Sequence, residues 1–133
     1  MAALTKDRDT LRRDDARYEY PVAATTRLHA GGLVALNASG FAVPASAVPT
    51  LTVMGWSVSP ADNSTGADGD INVLTETRGA IKLANDGSIT RAHVGKKAYA
   101  VDDQTVAATD GSGARPAAGI IKDLDASGVW VGF

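Results

Sequence analysis

The chain has 133 residues, no cysteine and two histidines, and its 13 basic and 15 acidic residues give a net charge of −2. A chain of this length fits one domain. The lack of cysteine excludes disulfides, thiolate metal sites and a cysteine nucleophile, and the balanced charge argues against general binding to nucleic acid.

The first segment, residues 1–19, differs in composition from the rest of the chain. Its first 17 residues carry five basic and four acidic side chains, and their only large apolar residues are Met1, Leu4 and Leu11. Such a segment cannot bury enough apolar surface to offset the entropy of ordering it. A helix would place Leu4, Leu11 and Tyr18 on one stripe, since they are seven residues apart. We therefore predict an N-terminal arm that is flexible or becomes ordered on a partner.

The body, residues 20–133, is predicted to be all-β. It contains all 14 glycines and all five prolines, and turn sequences such as Asn85-Asp-Gly separate short runs of β-branched and apolar residues. We therefore expect a compact sandwich or barrel-like domain of short strands. Ten strands are predicted, over residues 22–27, 33–36, 41–43, 51–58, 71–75, 80–83, 97–101, 106–109, 119–122 and 129–133.

Two segments of the body share one pattern. Residues 32–41 and 79–89 each contain two glycines eight residues apart, with an apolar run between them and an Asn-containing turn. Both segments predict hairpins in one barrel-like sheet.

The small size of the apolar residues favours association. Alanine accounts for 24 of the 59 apolar residues. Because a domain of this size buries only about two thirds of its unfolded surface, so light a core favours a subunit stabilised by oligomerisation or docking. Trp56 and Trp130 are expected in the core or at such an interface.

Neither a membrane nor nucleic acid is an expected partner. Residues 28–61 contain no charged side chain, but glycines and prolines interrupt them, and a spanning helix needs about 20 mostly apolar residues without such breakers. The arm carries charges of both signs, whereas binding to a polyanion favours a run of basic residues.

The sequence contains no catalytic motif. G-x-S-x-G, H-E-x-x-H and G-x-x-x-x-G-K-[ST] are all missing. His29 and His93 lie 64 residues apart, and His29 is expected to pack or hydrogen-bond at a strand end. We predict that the chain is not an enzyme and needs no cofactor.

The acidic segment 62–70 does not match a calcium loop. A twelve-residue loop that starts at Asp62 would have Gly66 and Val73 where oxygen ligands are required. Asp62, Asp68 and Asp70 could form an irregular cation site, but a solvated loop is the favoured interpretation, and no metal is predicted.

Several segments of the body together resemble a known family. They are rich in glycine, small and β-branched residues, and they cover residues 28–46, 53–57, 69–70, 78–83, 94–100 and 118–131. In this pattern the chain resembles the small head-decoration (capsid cement) proteins of tailed bacteriophages, from about residue 20 to residue 133. The charged arm is the part that least resembles the family.

The resemblance implies a non-enzymatic virion protein that is made in the host cytoplasm. Such proteins bind the outer surface of the expanded capsid, often as trimers, and clamp neighbouring subunits of the major capsid protein. A homo-oligomer is therefore expected, with a trimer favoured over a dimer. The residues expected to contact the capsid are Leu4, Arg8, Leu11, Arg12, Arg13, Tyr18 and Tyr20, because arginine binds carboxylates in two-pronged fashion and tyrosine contributes contact area at low entropic cost.

Two alternative functions are also considered, and each predicts a different binding partner or site. A tail or fibre β-domain would share the composition but bind a tail component or a glycan. A small β-barrel enzyme or ligand-binding domain would need a concave pocket with convergent histidine or carboxylate groups.

Overall fold

The computed structural model describes residues 2–13 and 15–133. In these residues the chain forms twelve strands and one short 3₁₀ helix, Arg91–His93, so the predicted all-β class is confirmed. No helix in this part of the chain has the length and apolar character that crossing a membrane requires. The strands are β1 (Arg17–Pro21), β2 (Thr26–Leu28), β3 (Leu33–Leu36), β4 (Ala42–Pro44), β5 (Thr52–Ser57), β6 (Ala61–Asn63), β7 (Asn72–Glu76), β8 (Ala80–Asn85), β9 (Lys97–Ala100), β10 (Thr105–Ala107), β11 (Ala117–Asp125) and β12 (Gly128–Gly132).

The first half of the chain forms a five-stranded antiparallel sheet in the order β1-β7-β5-β3-β4. Strands β2 and β6 pair separately as a two-stranded ribbon. Directly after β1, Val22 forms a parallel bridge with Ala42 of β4. The chain that leaves one outer strand therefore meets the other outer strand.

The second half of the chain forms a closed barrel in the order β10-β8-β12-β11-β9, with β9 paired to β10. The β8–β10 pair is parallel and the other four pairs are antiparallel. Strand β11 changes register between Ala117 and Gly119 and again between Ile121 and Asp123. Such bulges bend a strand, and five strands must bend strongly to close.

Two apolar clusters hold these sheets together, and β3 lies between them. Leu33 and Ala35 belong to the larger cluster, together with side chains of the barrel strands such as Ile121 and Val131. Val34, between them in sequence, belongs to the smaller cluster with Val22. Because successive side chains point to opposite faces of a strand, both faces of β3 are buried, which explains its continuous apolar run.

The alanines have a structural role in the barrel. Ala98 and Ala100 of β9 and Ala118 of β11 are all buried in the larger apolar cluster. Side chains fill the interior of a small barrel, often in an alternation of small and large residues. The alanine content that indicated a light core is therefore also what a narrow barrel requires.

The strand predictions were largely confirmed, with three corrections. Nine of the ten predicted strands correspond to observed ones, while β1 and β6 were not predicted and β2 overlaps the tenth predicted strand by two residues only. The strand expected at 22–27 was wrong over residues 22–25, and only residues 26 and 27 lie in a strand, β2. Asn63 donates to the carbonyls of Val22 and Ala23, and Asp68 accepts from Ala24 N, so these main-chain groups bond to side chains. The hairpin expected at 79–89 was also wrong, since Asn85 closes a turn with Gly87 and Ile89 and β8 pairs with β10 and β12.

Candidate functional site

The outer part of the N-terminal arm is exposed to water. Its described residues, 2–13, form neither helix nor strand, and each of them is exposed. Leu4 is 70% exposed and Leu11 is 95% exposed. The helical stripe that would join them to Tyr18 is therefore not formed, and two large apolar side chains remain in water.

The arm is joined to the body through a stack of three side chains. The guanidinium of Arg13 lies 4.4 Å from the centre of the Tyr18 ring. The rings of Tyr18 and Tyr20 are 6.3 Å apart and inclined by 19°. The hydroxyl of Tyr18 also donates to Asp15 Oδ1 at 3.2 Å. We call Arg13, Asp15, Tyr18 and Tyr20 the arm root.

The chain next to the arm root is bonded to β7. Thr77 N donates to the carbonyl of Ala16 at 2.9 Å, and Thr77 Oγ1 donates to the carbonyl of Asp15 at 3.1 Å. Arg17 Nε donates to Glu76 Oε2 at 2.6 Å across the strand pair. Residues 17–19, which sequence analysis assigned to the arm, therefore lie in the sheet, and the arm leaves it at a fixed point.

The inner end of the stack, at Tyr20, is half-buried. Tyr20 packs against the smaller apolar cluster. Burial, together with the neighbouring Tyr18, raises the pKa of the Tyr20 hydroxyl, while Arg13 acts in the opposite direction. Tyr20 is therefore uncharged at neutral pH and serves as an apolar base for the stack.

Strand β1 is an edge of the five-stranded sheet. Hydrogen bonds from Thr77 N to Ala16 and from Val22 N to Ile71 bracket its pairing with β7, so the even-numbered residues bond to that neighbour. In an antiparallel pair the intervening residues point their main-chain groups the other way. These groups face away from the sheet at Arg17, Glu19 and Pro21. Proline lacks an N–H and is typical of such an edge.

The seven residues predicted to contact a capsid fall into two sets. The structure brings Arg13, Tyr18 and Tyr20 together in the arm root. The other four lie along the exposed arm: Leu4, Arg8, Leu11 and Arg12. No hydrogen bond or ion pair joins residues 2–12 to the body in the described part of the chain.

The three acidic residues considered for a cation site hold loop amides instead. Asp68 Oδ1 accepts from Ala24 N at 2.7 Å and Asp70 Oδ2 accepts from Ala67 N at 2.9 Å. Hydrogen bonds from Ser64, chiefly from its side chain, lower the pKa of Asp62. Among residues 2–13 and 15–133, no group of three His, Asp or Glu side chains is arranged to hold a metal ion.

A second exposed surface lies on the barrel around Trp130, which sequence analysis expected either in the core or at an interface. Trp130 of β12 is 39% exposed, between Asp123 of β11 and Lys82 of β8 in the strand register. Lys82 Nζ lies 5.6 Å from the indole centre and 2.8 Å from Asp125 Oδ2, and Arg91 pairs with Asp123. We call this the Trp130 face. Its signal is that Trp130 alternates with the buried Val129 and Val131.

The exposed position of Trp130 rules out a core role for it, whereas Trp56 is half-buried. The Trp56 ring lies 5.6 Å from the ring of Phe133. An exposed tryptophan among paired charges has the composition of an interaction hot spot, because aromatic anchors contribute most where surrounding polar groups exclude water.

An open depression of about 350 Å³ lies where the sheet meets the barrel. It is lined by residues 29–32, by Asp103 and by Gln104. His29 is exposed, and no hydrogen bond joins it to Asp103 in the described residues. The depression is thus lined by one imidazole and one carboxylate.

Comparisons of the chain with models of protein families, with curated proteins and with solved structures found no match.

Proposed function

We propose that this chain is a non-enzymatic decoration (cement) protein that binds the outer surface of a phage head and stabilises contacts between major capsid subunits. The observation that carries the proposal is the arm, whose Leu4 and Leu11 are 70% and 95% exposed and which leads into the edge strand β1. The family resemblance of the body supplies the identity of the partner. The mature location is then the virion, and the partners are the major capsid protein and further copies of the chain.

The exposed leucines support a role for the arm in binding. Burying one leucine side chain stabilises a complex by about 1.5–3 kcal/mol. An arm that is exposed to water in the free subunit gains this energy only when it binds a partner. The gain must offset the entropy that the arm loses when it becomes ordered. Arg8 and Arg12 add charge-assisted hydrogen bonds to carboxylates.

The arm root supports a defined direction of approach. The Arg13–Tyr18–Tyr20 stack fixes where the arm begins, and the outward main-chain groups of β1 lie beside it. An extended segment of another protein can pair with such an edge. If the protein binds the assembled capsid but not the free capsid subunits, binding stabilises the assembled state by mass action, with no covalent step. Several arms on one oligomer would add avidity.

Co-sedimentation with expanded, undecorated capsids of the phage that encodes this chain tests the proposal. Three forms are compared: the full chain, a form lacking residues 1–12, and the full chain carrying Leu4→Ala and Leu11→Ala. We expect saturable binding of the full chain at a fixed ratio to capsid subunits. The double substitution should weaken it by about tenfold or more, since 1.4 kcal/mol corresponds to a factor of ten.

The other outcomes separate the remaining explanations. Equal binding of all three forms would keep the function but move the contact to the body, where Trp130→Ala is the next variant. No binding of any form, with a cooperative thermal transition to show folding, would overturn the decoration proposal. The tail or fibre module would then be the leading explanation.

A further inference from the structure

The chain contains three Asp-Gly pairs, Asp68-Gly69, Asp86-Gly87 and Asp110-Gly111. All three glycines have a positive φ, of 80°, 105° and 61° in that order. Asp-Gly is the dipeptide in which the next backbone nitrogen most easily reaches the aspartate side chain, because glycine has no side chain to obstruct it. The three pairs therefore have the same intrinsic reactivity. They differ in the hydrogen bonds that restrain the carboxylate and the glycine amide in the folded chain.

The reaction at such a pair is an isomerisation of the backbone. The glycine nitrogen attacks the aspartate Cγ, an N–Cγ bond forms, and a C–O bond of the carboxyl group breaks with loss of water. Water then opens the cyclic imide at either carbonyl, which gives aspartate or isoaspartate. One water leaves and one returns, so the product is an isomer and no further reactant is needed.

Both reacting groups of the Asp68-Gly69 pair, the carboxylate and the glycine amide, are held by hydrogen bonds to other residues. Its carboxylate accepts from Ala24 N at 2.7 Å, and Gly69 N donates to the carbonyl of Val22 at 2.9 Å. A carboxylate and an amide that bond to different partners are kept from meeting each other, and an amide that donates a hydrogen bond is a poorer nucleophile.

The Asp86-Gly87 pair is held in the same way. Asp86 Oδ1 accepts from Ser88 N at 2.9 Å and from Ser88 Oγ at 2.6 Å. Gly87 N donates to Asn85 Oδ1 at 2.9 Å.

The Asp110-Gly111 pair is held more weakly than the other two. In the described residues the Asp110 carboxylate accepts no hydrogen bond, and Gly111 N donates one long hydrogen bond, of 3.4 Å, to Thr109 Oγ1. The pair opens an exposed loop in which Gly111, Ser112 and Gly113 all have positive φ, of 61°, 62° and 86°.

We infer that Asp110 is a site of spontaneous isoaspartate formation in the folded protein, and that the fold protects Asp68 and Asp86 from the same reaction. This modification site needs no capsid, so it goes beyond the proposed function. Isoaspartate adds one methylene group to the main chain and moves the Asp110 carbonyl, which accepts from Arg115 N at 2.9 Å. The loop between β10 and β11 is therefore expected to loosen as the protein ages.

Prolonged incubation of the full chain in weakly acidic buffer tests this inference. Peptides from a protease digest are separated by chromatography, and electron-transfer fragmentation distinguishes isoaspartate from aspartate at each position. We expect isoaspartate to accumulate several-fold faster at residue 110 than at 68 or 86. The same incubation in denaturant should give similar rates at the three positions. Unfolding removes the hydrogen bonds that distinguish them, and the three pairs then share the same Asp-Gly chemistry. Asp110→Glu keeps the charge and should abolish the signal at 110, since the longer side chain would have to close a six-membered ring, which forms much more slowly.

Equal rates at the three positions in the folded protein would overturn the inference, and so would faster conversion at 68 or 86. It would also fail if residue 110 reacted in denaturant but not in the folded chain.

Discussion

The buried side chain of Asn63 offers a sharp test of how the acidic loop is held. Asn63 is 3% exposed. Its Nδ2 donates to the carbonyls of Ala23 and Ala67 at 2.9 Å each and lies 3.3 Å from the carbonyl of Val22. One amide therefore joins the chain after β1 to the 62–70 loop.

The magnitude for Asn63→Ala follows from these contacts. A hydrogen bond contributes about 1 kcal/mol net, and a buried carbonyl left without a donor costs about 1–3 kcal/mol. In the variant the Val22 carbonyl still accepts from the Gly69 amide, and the Ala67 carbonyl still accepts from the Asp70 amide. Most of the lost stability therefore comes from the Ala23 carbonyl, which is left without that donor. We expect a loss of about 2–4 kcal/mol, which lowers the Tm by about 8–15 °C for a domain of this size.

Thermal and urea denaturation of matched variants measure this effect. Asn72→Ala is the control, because Asn72 is exposed in β7, and it should change stability by no more than about 0.5 kcal/mol. Asn63→Asp presents an oxygen to the carbonyls and should be at least as destabilising at neutral pH. It should regain part of the loss in acid, where the protonated carboxyl can donate. If Asn63→Ala matched the control, the anchoring role of this amide would be refuted.

Three further predictions concern the strands. The Thr75 hydroxyl is buried with no hydrogen-bond partner in the described residues, so Thr75→Val should leave stability unchanged or raise it by about 1 kcal/mol in urea denaturation; a clear loss would reveal an unrecognised partner. A Cβ on Gly55, where φ is 143°, would lie 2.3 Å from the carbonyl oxygen of Glu76, so Gly55→Ala should lower the Tm by several degrees or prevent folding, and an unchanged melting curve would contradict that contact. The hydrogen bond from Lys82 holds the pKa of Asp125 well below its ordinary value. The ionised Asp125 therefore stabilises the fold at any pH above the pKa that Asp125 has in the unfolded chain, and this stabilisation is lost as the pH falls through the lower pKa of the folded chain. Asp125→Asn should therefore be slightly less stable than the parent at neutral pH and equal to it in strong acid, and a pH-independent difference in Tm would argue against the ion pair.

The candidate site was predictable in part. Composition identified the arm, because a segment with so few large apolar residues cannot cover itself. It did not identify where the arm ends. Strand β1 alternates Tyr18 and Tyr20 with Arg17 and Glu19, a pattern that a half-buried edge strand shares with a solvated arm. Only the pairing with β7 separates the two.

The make-up of the Trp130 face was not predictable for a related reason. The alternation of Trp130 with Val129 and Val131 places them on opposite faces of the strand, but it does not show which face is buried or which side chains lie beside the indole. The register of β12 with β8 and β11 places it outward beside Lys82 and Asp123.

By itself, the sequence determined the all-β class, nine of the strands and the exposed arm, because periodicity, turn residues and segment composition are local properties. It did not determine the closure of the barrel, which depends on the parallel β8–β10 pair and on the bulges of β11. Nor did it determine that Asn63 and the acidic loop hold residues 22–24 out of a strand. These features depend on contacts between residues far apart in the chain, and a local pattern contains no information about which partner a main-chain group will find.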